Sequence, residues 1–227
     1  MSEELKNWQA RPRPERKVLE GRHVRLEPLS AERHGDGLYA VATAADAEER
    51  LRWLFESRPE SREAFQTWLE KVEASEDPLF FAVIDKVSGQ VAGRQTLMRI
   101  EPAHGVIEIG SIHWGAAMAR RPAATEAQFL FARYVFDELG YRRYEWKCHN
   151  RNEPSKRAAE RFGFKFEGIF RQHMVAKGQN RDTAWYSIID SEWPALRKAY
   201  EGWLDLSNFD SDGTQKRRLE DFRKSLA

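Results

Sequence analysis

The sequence predicts a mixed α/β domain of the α+β class: one mixed sheet of about seven strands with helices on both faces. Three observations predict it. Strand-like apolar segments recur on either side of segments with helical period, as in the continuous apolar run Leu79–Ile84 after Ser61–Ala74 and the alternating Tyr144–His149 after Pro122–Leu139. Ser88-Gly89 sits where a hairpin turn would join Leu79–Ile84 to Gln90–Ile100. Helix-rich crossovers and a hairpin in one chain require a sheet with both parallel and antiparallel neighbours. At 227 residues the chain can bury one sizeable core with appendages rather than two full domains.

Residues 1–17 hold Arg11-Pro-Arg-Pro14 and few apolar side chains, so they read as a flexible or draped arm. The domain is assigned to 18–192 and a C-terminal helical extension to 193–227. Val24-Arg-Leu-Glu-Pro28 alternates as a first strand, and Ser30 is placed to cap a helix carrying Leu38 and Val41. Ser61 caps the next helix, whose Phe65, Trp68, Leu69 and Val72 share one face. Val106–Trp114 is the fourth strand. Gly140 is placed to end the helix that starts near Pro122. In Tyr144–His149, Tyr144, Trp146 and Cys148 share one face and Glu145, Lys147 and His149 the other. A short helix near Glu153–Phe162 stops at Gly163. Strands near Lys165–Arg171 and Thr183–Ile189 follow, with Lys177-Gly178-Gln-Asn180 as the turn between them. Beyond Trp193-Pro194 a helix sets Leu196, Tyr200, Trp203 and Leu204 on one side, and Asp210-Ser-Asp-Gly213 interrupts the chain before a last charged helix.

Lys plus Arg total 37 against 36 Asp plus Glu, so no global field draws the chain to nucleic acid or a membrane surface. The single cysteine excludes an internal disulfide, and Cys148-His149 lacks partners at metal-ligand spacing, so no metal is assigned. No apolar run reaches the roughly 18 residues of a membrane span, and the acidic start lacks a secretory pattern, so a cytoplasmic protein is expected. The basic stretch from Lys147 to Arg161 is broken by Glu153 and Glu160, which favours a solvated face, or a rim that attracts a phosphate group, over a nucleic-acid surface.

Asn152-Glu-Pro-Ser155 directly follows the strand Tyr144–His149, with Gly163-Phe164 eight residues further on. Ala124-Thr-Glu-Ala127 opens the preceding helix. In this order and at these separations, the motifs resemble the GCN5-related N-acetyltransferases, in particular the RimJ/RimL branch, over about three quarters of the chain. Leu19-Glu-Gly-Arg-His-Val-Arg-Leu-Glu-Pro-Leu29 and Glu108-Ile-Gly110 are similar to the same branch. The resemblance implies the acyl-CoA N-acyltransferase fold, whose mixed sheet is mostly antiparallel, and acetyl-CoA as co-substrate. It implies splayed strands at Val106–Trp114 and Tyr144–His149. Main-chain groups around Ile112, Trp114 and Ala116 would then hold the pantetheine arm and donate to the oxyanion.

The family's pyrophosphate loop falls on Ala119-Arg-Arg-Pro-Ala-Ala124, with Ala119, Arg120, Arg121, Ala123, Ala124 and Thr125 as the implied contacts. Pro122 stands where the family has a glycine. A helix N-terminus binds phosphate through free N–H groups, and proline removes one, but its fixed φ suits the first helical turn. Arg120 and Arg121 can supply charge-assisted bonds instead. The alternative reading makes them solvated loop charges before an ordinary helix. The resemblance further implies that Asn152 bonds a pantetheine amide and that Ser155 sits near the sulfur as hydrogen-bond donor to the leaving thiolate. Read without it, Ser155 is an ordinary first-turn helix residue.

For the general base the branch places a glutamate where this chain has Met174. Glu108, His113, His173 and Asp182 are the remaining candidates. Glu108 and His113, five apart, face opposite sides of a regular strand unless a bulge intervenes. Trp53, Phe55, Trp68 and Trp114 are core residues by type, some of them candidates for the acceptor pocket. The leading expectation is an N-acetyltransferase acting on a primary amine: a protein N-terminus, an amino acid or a small amine. The alternatives are a catalytically weak or inactive coenzyme-A-binding module acting through partners, and an RNA- or ribosome-associated factor. A homodimer is compatible with the sequence.

Overall fold

The computed structural model describes residues 5–225. Eight strands form one sheet: β1 (Leu19–Glu20), β2 (Val24–Pro28), β3 (Leu79–Asp85), β4 (Val91–Glu101), β5 (Val106–Trp114), β6 (Arg143–His149), β7 (Lys165–Ala176) and β8 (Gln179–Ile189). Their order is β1-β2-β3-β4-β5-β6-β8-β7, and every neighbouring pair is antiparallel except β5 with β6. The expected sheet is therefore present, one strand larger. The extra strand is the two-residue β1, too short to show a period.

Seven α-helices cover the sheet: α1 (Ala31–Thr43), α2 (Ala47–Leu51), α3 (Arg62–Glu73), α4 (Pro122–Arg133), α5 (Glu153–Phe162), α6 (Trp193–Leu204) and α7 (Leu219–Lys224). Ser30 and Ser61 cap α1 and α3, accepting from the backbone N–H of Arg33 and Ala64. α1 and α3 bury Leu38, Ala42, Phe65, Leu69 and Val72 against Phe80 on one face. α4, α5, α6 and α7 bury the larger core on the other, where alternate β3 residues Leu79, Phe81 and Val83 also point. That alternation makes all seven β3 residues buried.

Two local features set the edges of the site. Gly163 ends α5 at φ 97, and a Cβ there would lie 2.7 Å from Leu196, so left-handed backbone and close packing both require glycine. The β7–β8 connection is only two residues, Lys177 (φ 49) and Gly178 (φ 72), as a tight hairpin turn with two positive φ angles demands. The turn expected over four residues is thus shorter, and both strands run further than their apolar pattern indicates.

Residues 5–17 lie along the domain: Trp8 Nε1 donates to the Ala103 carbonyl at 2.7 Å and the Glu15 amide to Tyr134 Oη at 2.8 Å. The first four residues of the arm lie outside the described residues. In the C-terminal segment, α6 packs Trp193, Leu196, Ala199, Tyr200 and Trp203 into the larger core, and Tyr200 Oη donates to the Phe162 carbonyl at 2.8 Å. Glu126, in the Ala-Thr-Glu-Ala segment, accepts from the backbone N–H of Arg22, His23 and Val24 and so fastens α4 to the β1–β2 turn.

Candidate active site

The parallel ladder between β5 and β6 runs from Val106↔Arg143 to Ile109↔Trp146 and stops there. Beyond Ile109, β5 keeps β4 as its partner on one side, while no strand pairs its other edge among the described residues. The cause is visible in the β4–β5 register. Thr96 pairs with Gly110 and Arg94 with His113, so Ser111 and Ile112 together oppose Gln95. Ser111 carries φ 45, and its carbonyl accepts from Arg94 Nη1 at 2.7 Å. This bulge bends β5 away from β6.

The resulting cleft encloses about 680 Å³ and is lined by Glu108, Ile112, His113, Trp114, Asn152 and Ser155 among others. The bulge also answers the facing of Glu108 and His113. A regular strand separates them; the extra residue returns both to the same cleft. Ile112 and Trp114 pack toward the larger core with Ala124 and Ala158. The cleft is roofed from the α2 side. Lys177 Nζ donates to the Leu51 carbonyl at 2.9 Å, the Trp53 and His149 rings lie 4.6 Å apart, and the Arg181 guanidinium sits 4.8 Å over Phe55. Trp53, Phe55 and Trp114 are therefore cleft residues, whereas Trp68 is not among the residues lining it.

On the β6–α5 side, Asn152 is the N-cap of α5. Its Oδ1 accepts from the Ser155 N–H at 3.2 Å, which orients the side-chain amide and leaves its N–H₂ unengaged among the described residues. Ser155 Oγ accepts from Trp146 Nε1 at 3.0 Å. A hydroxyl already accepting from an indole has its own proton available to donate elsewhere. Cys148 lies beside it, its thiol pKa pushed up by burial against a smaller downward pull from Ser155.

The ionisable groups differ sharply in freedom. Glu108 Oε2 is bonded to Lys147 Nζ at 2.9 Å and Arg99 Nε at 3.1 Å, and Lys147 also reaches Glu145 at 2.6 Å. Burial raises the Glu108 carboxyl pKa above its ordinary value, with Lys147 and Arg99 pulling it back. His113 is buried, its Nε2 without a partner among the described residues, and burial together with Arg94 pulls its pKa down to about 4. His173 lines the cleft with Nδ1 3.0 Å from Thr183 Oγ1. Met174 lines it too, opposite Arg181 in the hairpin register. Asp182 lies off the cleft, accepting from the Gln172 N–H and Asn180 Nδ2. Two further lining residues carried no sequence signal: Glu56, bonded at 3.1 Å to Arg94 Nη2, and Arg50, which donates to the Trp114 carbonyl at 3.2 Å. Among the described residues no group of His, Cys, Asp or Glu is arranged to hold a metal ion, and no helix is long and apolar enough to cross a membrane.

Strands that part beside a helix capped by Asn-x-x-Ser are the geometry the motif order implied, and residues 23–165 match the family model for the Acetyltransferase (GNAT) domain. The chain belongs to the GNAT acetyltransferase family. A solved GCN5-related N-acetyltransferase from Brucella melitensis is 68% identical, covers 97% of this chain and 100% of its own, and superposes with a TM-score of 0.96. A solved GNAT-family protein from Chromobacterium violaceum is 39% identical, with 86% of this chain and 97% of that chain covered and a TM-score of 0.79. The curated N-acetyltransferase p20 of Bacillus licheniformis is 30% identical over 117 residues, 50% of this chain and 63% of that protein. The match to p20 thus spans less than two thirds of its length.

Within this GNAT domain the segment implied for the pyrophosphate stands apart from the cleft lining. Ala119, Arg120, Arg121, Ala123, Ala124 and Thr125 form the junction from a 3₁₀ turn (Ala116–Met118) into α4. Arg121 is the N-cap in extended conformation, Pro122 the first helical residue, and Arg120 (φ 58) and Arg121 are exposed. Proline there removes only an N–H that has no partner within the helix. Thr125 Oγ1 accepts at 3.0 Å from Arg161 Nη1 of α5, whose guanidinium stacks 5.2 Å from Trp203. A third arginine therefore reaches the first turns of α4.

Proposed function

We propose that this acetyltransferase moves an acetyl group from acetyl-CoA to an α-amine or a similarly weakly basic primary amine. The reading rests on one observation: the β5–β6 ladder stops at Ile109↔Trp146, opening a cleft walled by Asn152 and Ser155. The residues fit the co-substrate. Asn152, fixed as a helix cap, offers its amide N–H₂ to a pantetheine carbonyl, and the open edge of β5 around Ile112 and Trp114 offers main-chain groups. Arg120 and Arg121 flank the α4 N-terminus, whose dipole favours a diphosphate. When bound, acetyl-CoA supplies the acetyl group as a thioester. Ser155 Oγ–H donates to the sulfur as it gains negative charge, and β5 amides donate to the carbonyl oxygen.

The acceptor class follows from the bases. Glu108 is held by Lys147 and Arg99, Glu56 is paired with Arg94, His113 protonates only near pH 4, and Met174 stands where the branch carries a glutamate. The amine must then arrive uncharged largely by its own equilibrium. With a pKa near 7.7–8.0 against about 10.4, an α-amine is neutral roughly 300-fold more often than lysine at pH 7.

Isothermal calorimetry with CoA tests the first half, and absence of heat at millimolar CoA defeats it. Acetylation of a peptide bearing both a free N-terminus and a lysine tests the second. N-terminal product is expected, with kcat/KM rising toward the amine's pKa. Preferential lysine modification overturns the acceptor class.

A further inference from the structure

Beside the cleft, between α1, α3 and the segment 51–59, lies a second cavity of about 240 Å³. Its walls are apolar: Leu38, Ala42, Leu51, Pro59, Phe65 and Trp68. Four polar residues also line it: the exposed Ser57, and Arg94, Glu56 and His113. Arg94 is buried with its guanidinium 4.9 Å over the Trp68 ring, donating to Glu56 and to the Ser111 carbonyl. Glu56 and His113 line this cavity and the cleft alike, so they stand where the two meet. His113 is 4% exposed and its Nε2 has no hydrogen-bond partner. Glu56 is held through Oε1, and its other oxygen accepts no hydrogen bond among the described residues.

A buried imidazole nitrogen without a partner costs free energy unless something meets it. A largely apolar chamber whose buried, unpartnered hydrogen-bonding group, His113 Nε2, stands at the junction to the reaction cleft is shaped for a molecule that is polar at one end. The acceptor reading above, on which this inference rests, supplies that molecule: its amine belongs in the cleft and its remainder must go somewhere. An apolar cavity of about 150 Å³ holds benzene, so about 240 Å³ admits a phenyl or small bicyclic ring with a short linker.

We propose that the cavity is the acceptor-specificity subsite, and that the acceptor is a primary amine bearing a one-ring or branched apolar group within two or three bonds of the nitrogen. The apolar group fills the chamber. The nitrogen lies at the junction, donating to His113 Nε2 and to the free oxygen of Glu56. The same chemistry occurs in a small amide of phenylalanine or leucine and in a peptide whose first residue is phenylalanine or leucine.

The test is a rate panel at fixed acetyl-CoA, each rate expressed per concentration of uncharged amine: ethylamine, putrescine, 2-phenylethylamine, and tetrapeptides differing only in Phe, Leu, Gly or Ser at position one. Burying a phenyl group is expected to favour phenylethylamine over ethylamine about tenfold to hundredfold in kcat/KM. The peptide arm, read the same way, distinguishes a free amine from a protein N-terminus. Ala42→Phe, which puts a ring into the chamber, should bring the phenylethylamine-to-ethylamine ratio close to one. A CoA-induced rise in melting temperature in the variant verifies that it is folded. Equal rates across the panel, or a preference that survives Ala42→Phe in folded protein, overturn the proposal. If no amine is acetylated, acetyl transfer to an amine is what has failed. The cavity is then read by saturation-transfer NMR of phenylethylamine, where binding lost in Ala42→Phe supports the subsite and no binding to the unaltered protein rejects it.

Discussion

Ser155→Ala should lower kcat about tenfold to hundredfold while leaving the KM for acetyl-CoA nearly unchanged. The magnitude follows from the contact. A hydrogen bond to a charged partner is worth about 1.5–3 kcal/mol, and each 1.36 kcal/mol is about tenfold in rate. The sulfur acquires its charge only as the thioester breaks, so the loss falls on kcat. Trp146 Nε1 donates to Ser155 Oγ at 3.0 Å, which engages one acceptor lone pair and leaves the hydroxyl in its donor role. If Ser155 is the donor proposed above, Trp146 acts on the reaction as a positioning residue. Trp146→Phe removes one neutral hydrogen bond, worth about 1 kcal/mol, and should slow turnover about fivefold. The decisive arm is the double variant. If the indole acts only through the hydroxyl, Ser155→Ala/Trp146→Phe is no slower than Ser155→Ala, a coupling that a merely structural tryptophan does not produce. Steady-state kinetics with an α-amine near pH 8 read the rates, and thermal melting with CoA checks each fold. Wild-type turnover in Ser155→Ala, or fully additive losses in the double variant, refute the reasoning.

Three further outcomes are expected. His113 titrates near 4 in the folded protein against 6.5 as a free residue, so between these values the unfolded chain binds the extra proton. This contribution to stability is complete above about pH 6.5 and is lost as pH falls toward 4, by about 3 kcal/mol; urea unfolding of His113→Gln at pH 5 and pH 7 should show a flatter dependence than the unaltered chain. Arg120→Ala/Arg121→Ala should weaken CoA several-fold more than pantetheine, which lacks the diphosphate, and equal losses in calorimetry would show that the arginines do not read phosphate. Glu108→Gln leaves Lys147 with Glu145 alone, so it should cost about 1–3 kcal/mol of stability with little change in the pH profile of kcat/KM, whereas a lost acid limb would make Glu108 the base.

Much of this fold is written locally. The caps Ser30 and Ser61, the left-handed stop at Gly163 and the alternation of Tyr144, Trp146 and Cys148 into the core are all short-range chemistry, and each stands where the pattern puts it. The elements that escape a local reading lack such signals. β1 has two residues, and α2 (Ala-Glu-Glu-Arg-Leu) has no apolar period. The helix opened by Pro122 loses its regular ladder at a π-helical turn, Tyr134–Glu138, that no residue type announces. The site divides the same way. Asn152 and Ser155 are legible because a helix N-terminus fixes both, whereas the pairing of Glu56 with Arg94, 38 residues apart, exists only after the sheet has formed.

The bulge at Ser111 ties these long-range parts together. A non-glycine residue in the left-handed region costs about 1–2 kcal/mol, and nothing within β5 repays it. The repayment comes from β4: Arg94, buried beneath Trp68, donates to the Ser111 carbonyl, a charge-assisted bond of about 1.5–3 kcal/mol. A buried guanidinium needs a counter-charge, and Glu56, from the segment after α2, provides it. The strand distortion that parts β5 from β6 is thus held by an ion pair lining the second cavity. The same distortion brings His113 to the cleft beside Glu108 and leaves its Nε2 unpartnered at the junction of the two spaces. One extra residue in a strand, stabilised from a neighbouring helix segment, opens the proposed donor cleft and shapes the proposed acceptor chamber. Exchange of the acceptor side chain can therefore be tuned from α1 and α3 without disturbing Asn152 and Ser155, which belong to the opposite wall.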